Sequence, residues 1–235
     1  MNGIWILLFL LFIAALPVII VFLWFRAVKS PVTLPWLLLS LSAGVLSLVP
    51  AAIIQNFFPY SARDGLGQVF FGVFIRIALV EEAGRLITLI PLLKAAARRR
   101  PRSVAAGLNQ NASEFPGNSA LDSIFAAGVG LAAGLGFAAI ENALYGTADI
   151  KITFLRAFTA APLHGACAVR AALAVFFFRQ RPAKALFLFA SAVLIHGAYN
   201  LMIVSPALPS LLAVPAAYSA LFATLPYLKA GDVRN

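Results

Sequence analysis

Apolar residues in this chain do not alternate with polar ones. They run in long blocks separated by short polar and basic stretches. Seven such blocks are read, at roughly 4–25, 34–57, 69–93, 121–145, 154–178, 185–204 and 208–228. About 20 apolar residues at 1.5 Å each cross the hydrocarbon core of a bilayer, so each block has the length of a spanning helix. A membrane barrel needs period-two alternation, which is absent, and in lipid only helices and closed barrels satisfy their own backbone groups. The pattern therefore predicts an all-α, polytopic transmembrane bundle of about seven spans, forming one domain over 1–235. The first block lacks a basic segment before it and is long for a secretory leader, so it reads as a retained first helix.

Composition agrees: 62% of residues are hydrophobic and 11% charged, against roughly 25% charged in soluble domains. The net charge of +10 does not point to nucleic acid, because the basic residues sit at the ends of apolar blocks. Twelve Lys and Arg fall in the linkers after blocks one, three and five and in the C-terminal tail. Only Arg63, Lys151 and Arg156 are assigned to the alternate loops. This asymmetry predicts an outside N-terminus and a cytoplasmic C-terminus. The longest loop, about 94–120, is then cytoplasmic, and Asn111-Ala-Ser113 is a chance glycosylation match on the wrong side. Cys167 is the single cysteine, which excludes an intrachain disulfide and a cysteine metal cluster; it reads as a small buried hydrophobe.

The third block changes the picture. Glu81 and Glu82 stand near its middle, and Arg85 follows at i+4 and i+3 on the same helical face. Glu141, His164 and His196 also lie inside apolar blocks, and both histidines of the chain are among them. Intramembrane ionisable groups are costly and mark function by default. Five acid/base groups on four helices are hard to explain as packing. Counted from the outer ends of the blocks, Glu81 lies ~18 Å deep, His164 ~15 Å, His196 ~12 Å and Glu141 ~6 Å. Gly128, Gly130, Gly134 and Gly136 precede Glu141 and predict close helix packing that brings it toward the Glu81 helix. Asn200 lies one turn after His196 on the same face. Arg76 and Arg170, nearer the block ends, read as snorkelling residues.

Such a set can activate water for hydrolysis inside a membrane. Glu81 is the expected general base, with Glu82 or Glu141 assisting and Arg85 holding one carboxylate charged. His164 or His196 would orient water or donate a proton, and Asn200 would donate to the oxyanion. A metal version is equally open to the residues, with Glu141, His164 and His196 as a His₂Glu zinc set and Glu81 as base. Other classes the residues admit are a proton- or ion-coupled transporter or channel, a zinc-dependent lipid hydrolase and an inactive scaffold. No inverted repeat supports the transporter, and two histidines are few for the lipid hydrolase.

Glu81-Glu82-Ala-Gly-Arg85, Phe137-Ala-Ala-Ile-Glu141-Asn142, His164 and His196-x-x-x-Asn200 resemble, in order and on consecutive blocks, the PrsW family of intramembrane proteases. These are relatives of the CAAX prenyl endopeptidase and bacteriocin-processing group. The resemblance covers about 69–204 and marks that stretch as the catalytic core. It departs from the family's pattern at Arg85, where Lys is common, and at Ala172, where a glycine is expected. The resemblance implies a multi-pass protein of the cell membrane. It also implies a single-span, anti-sigma-factor-like membrane protein as substrate, cut near its outer side, and a family described both as metalloproteases and as glutamate proteases.

Overall fold

The computed structural model describes residues 3–58, 65–99, 120–147, 149–205 and 208–228, and among them there is no strand. The chain runs through α1 Gly3–Ala27, α2 Leu34–Phe57 and a long rod. That rod consists of α3 Leu66–Phe71, a π-helical segment Gly72–Leu79 and α4 Val80–Arg99. There follow α5 Ala120–Gly146, α6 Ile150–Phe177, α7 Pro182–Val204, a 3₁₀ turn Ser210–Leu212, α8 Ala213–Phe222 and α9 Leu225–Leu228. Residues 100–119, most of the expected cytoplasmic loop, lie outside the described residues. So do 59–64 and 229–235, with the basic residues counted there.

The helix starts are written locally. Thr33 precedes a proline in the first turn of α2, where a missing N–H costs nothing. Asp149 caps α6 by accepting a 2.9 Å hydrogen bond from the Lys151 amide. That cap starts α6 at Ile150 and carries Arg156 into the helix, correcting its assignment to an outer loop. The last apolar block bends between α8 and α9, where the Thr224 hydroxyl donates to the Leu221 carbonyl and Pro226 supplies no amide.

Six of these stretches are long and apolar enough to cross a membrane: Ile4–Ala27, Leu34–Phe57, Asp122–Gly146, Ile150–Phe177, Pro182–Val204 and Ser210–Leu228. The rod over 66–99 is the seventh expected span. It falls outside the six because the π segment divides it and α4 carries Glu81, Glu82 and Arg85. Buried share separates centre from periphery, at 83% for α5 and α6 but 18–33% for the other four spans. α5 and α6 are therefore the central pair. α1, α2 and α7 turn Leu23, Leu38, Leu46 and Phe187 outward, as lipid-facing helices do. The protein is an integral membrane protein.

The central pair is close because its contact is built from small residues. Gly134 faces the backbone of His164, and a methyl group there would overlap the His164 carbonyl oxygen. On the opposite side, Gly44 of α2 has the same relation to the Ala133 carbonyl. Without hydrophobic drive between helices in lipid, such backbone approach is a principal source of association. Gly134→Ala is expected to lower stability by about 1–3 kcal/mol, the usual range for overpacking a filled site. Thermal unfolding in detergent measures this, and an unchanged midpoint would show that the α5–α6 contact is loose.

Candidate active site

The π segment delivers the third helix to the centre. Its Phe74 ring fills the space that a side chain at Gly197 would take, beside His196 on α7. The first turn of α4 then presents Glu81 and Glu82, 6% and 0% exposed. Arg85, one turn on, is fully buried.

Arg85 is the hub. Its Nη1 donates to Glu82 Oε1, and its Nη2 lies 2.6 Å from His164 Nδ1 and 3.9 Å from Glu81 Oε2. Its guanidinium also sits 4.2 Å from the centre of the Phe137 ring on α5. Arginine has no acceptor, so His164 Nδ1 must be the bare nitrogen of that ring. His164 Nε2–H then donates to Glu141 Oε2 at 2.7 Å. His196 Nδ1 lies 2.9 Å from Glu82 Oε1 and donates to it, while its Nε2 lies 3.7 Å from Glu81 Oε2. The two imidazoles meet edge to face with centroids 4.9 Å apart. Gln55, from the last turn of α2, donates to Glu81 Oε1 at 3.2 Å.

Six of the seven residues singled out from the sequence thus share one connected network: Glu81, Glu82, Arg85, Glu141, His164 and His196. Asn200 is half-buried on α7, and among the described residues no hydrogen bond joins its side chain to the others. Glu141, expected to be shallow, is at the rim with its side chain 17% exposed, and reaches the centre through His164. Arg170 does not snorkel: it is buried and donates to the Ala166 and Ala220 carbonyls, tying α6 to α8. Arg76 donates to the Phe58 and Gln55 carbonyls at the end of α2. Cys167 is buried against the Ala192 carbonyl.

Sequence reasoning missed Gln55 and Arg156. Gln55 was legible as a polar residue closing an apolar block. Arg156 was legible through Asp149, whose capping preference extends α6 backward. Arg156 Nη2 contacts Glu141 Oε2 at 2.7 Å, and its Nε donates to Asn142 Oδ1 at 3.0 Å.

One ligand atom from each of Glu81, His164 and His196 lies within 4.8 Å of the other two. Glu81 Oε2 is buried and has no hydrogen-bond partner. Two imidazoles and a carboxylate are the donor set of catalytic zinc sites, with the fourth position left to water or substrate. Each histidine also has a carboxylate on its other nitrogen, Glu82 for His196 and Glu141 for His164, as metal-ligating histidines commonly do. The residues fit a divalent ion once Arg85 Nη2 gives up its contact with His164 Nδ1, the nitrogen that would face the metal. They group Glu81 with the two histidines, whereas the sequence-based set used Glu141.

A family model described as PrsW family intramembrane metalloprotease matches residues 32–227. No curated protein and no solved structure gives a match.

Proposed function

The chain belongs to the PrsW family of intramembrane metalloproteases and is a membrane protease; from this premise we propose that it hydrolyses a peptide bond of a single-span membrane protein at the Glu81–His164–His196 centre. An anti-sigma-factor-like protein in the cell membrane is the substrate class. With the basic loops cytoplasmic, the centre serves the outer side of the bilayer.

The observation that carries this reading is Glu81 Oε2, buried without a hydrogen bond and facing two imidazoles whose far nitrogens are already held by carboxylates. His164, His196 and Glu81 would hold zinc, and when bound it supplies Lewis acidity to the scissile carbonyl. Glu82 keeps His196 Nε2 turned toward Glu81, and Arg85 keeps Glu82 in place. Glu81 is the group on which hydrolysis turns. Its ionised carboxylate serves as ligand in the zinc-dependent reaction and would be the proton acceptor in a glutamate-only one. Asn200, on the His196 face and unengaged by the network, is the donor for the oxyanion. The family match does not favour the transporter alternative.

The test is cleavage of a purified single-span substrate in detergent. Chelation should stop cleavage and added zinc should restore it. Cleavage that survives chelation would overturn the metal assignment in favour of Glu81 as sole base. Absence of any cleavage, together with ion flux in liposomes, would overturn the protease reading itself.

A further inference from the structure

Beyond the hydrolytic centre, we infer that Arg156 is a positioning residue for His164, acting through Glu141. The inference rests on the proposed site but uses residues that site does not assign.

Arg156 and His164 approach the same carboxylate oxygen, Glu141 Oε2, each at 2.7 Å. The guanidinium is itself held on two further sides. Its Nε donates to Asn142 Oδ1 at 3.0 Å, and its Cζ lies 4.1 Å from the centre of the Tyr145 ring. Asn142 is fully buried, and its carbonyl accepts from the Thr153 hydroxyl at 3.0 Å, so the α5–α6 junction is pinned beneath the cluster. Glu141 and Arg156 side chains are 17% and 16% exposed, against 2% for His164. An ion pair at the rim thus fixes a carboxylate that in turn fixes a buried ring.

The consequence for His164 is directional. Nε2–H is committed to Glu141, which leaves the Nδ1 lone pair facing Arg85 and the centre. Removing Arg156 frees the Glu141 carboxylate to rotate toward the rim, and the His164 ring loses its outer anchor. Outer-shell partners of metal-ligating histidines typically contribute 10–100-fold in affinity or activity, and Arg156 stands one bond further out, so about 10-fold is expected.

The experiment compares the parent with Arg156→Gln and Arg156→Lys in the full chain. With only two histidines present, ¹⁵N-histidine labelling resolves the His164 Nε2–H resonance without zinc or substrate. In Arg156→Gln this resonance should move, zinc affinity should fall about 10-fold and kcat should fall with KM unchanged. Arg156→Lys should restore most of each. An unmoved resonance in Arg156→Gln, or no restoration by Lys, would overturn the inference. If Arg156→Gln does not fold, Tyr145→Ala carries the test, since Tyr145 is half exposed and supports the guanidinium from one face. It should move the same resonance, and a parental spectrum overturns the inference. Parental chelation and cleavage results bear on the proposed function, whereas the resonance bears on Arg156 alone.

Discussion

Glu81→Gln is expected to lower kcat by about 10³-fold while leaving KM for a single-span substrate nearly unchanged. In the zinc-dependent reaction the change removes a charged ligand, and in a glutamate-only one it removes the proton acceptor, a role that contributes roughly 10²–10⁴-fold; either loss acts in the transition state rather than in binding. The substitution keeps size and shape. Gln55 can still donate to the amide oxygen that replaces Glu81 Oε1, so the α2–α4 contact survives. The change also removes a buried negative charge, one of whose oxygens has no hydrogen-bond partner, which relieves a desolvation cost. The variant should therefore be inactive yet as thermally stable as the parent or more so. Turnover in detergent and an unfolding curve measure the two halves. Parental turnover would remove Glu81 from the mechanism, and inactivity with a collapsed midpoint would recast it as a structural residue.

Arg85→Met is expected to cost about 3–5 kcal/mol, the range for deleting one partner of a buried ion pair. Arg85 is fully buried and contacts Glu82, His164 and the Phe137 ring. Met fills much of the volume but leaves Glu82, also fully buried, with His196 as its only remaining hydrogen-bond partner among the described residues. The double substitution Glu82→Met/Arg85→Met should be less destabilised than Arg85→Met alone, because no buried charge is then left uncompensated. Unfolding midpoints of the three variants decide this. Equal midpoints for Arg85→Met and the parent would mean that the Glu82 charge is neutralised elsewhere.

The lipid-facing half of the architecture was legible because lipid imposes a simple rule. Blocks such as 34–57, 121–145 and 185–204 return as α2, α5 and α7 within a few residues, since apolar length alone sets a span. The site residues were legible for the complementary reason. A glutamate or histidine within such a block is so costly that its presence is itself a signal. Their partners were not legible. Whether His164 meets Glu81 or Glu141 depends on how deeply α5 and α6 interlock at Gly134, and a helical pattern holds no such distance. The depth count set Glu141 shallower than the others, and only the glycine run before it predicted its approach. It joins by contact through His164. Arg170 was misjudged because proximity to a block end says nothing about the Ala220 carbonyl arriving from α8.

The π-helical stretch Gly72–Leu79 lies immediately upstream of Glu81 and Glu82. Such wide turns are rare, and they cluster where a chain has work to do. Each residue of an ordinary helix advances the azimuth by about 100°. The heading of both acids is therefore set by how many residues are wound into the widened coil before them. The same residues rewound as a regular helix would swing the two carboxylates away from the imidazoles, whereas a sequence one residue shorter there could run as a regular helix and nearly keep their heading. The spacing upstream of the acids is thus as much a part of the proposed centre as the acids themselves.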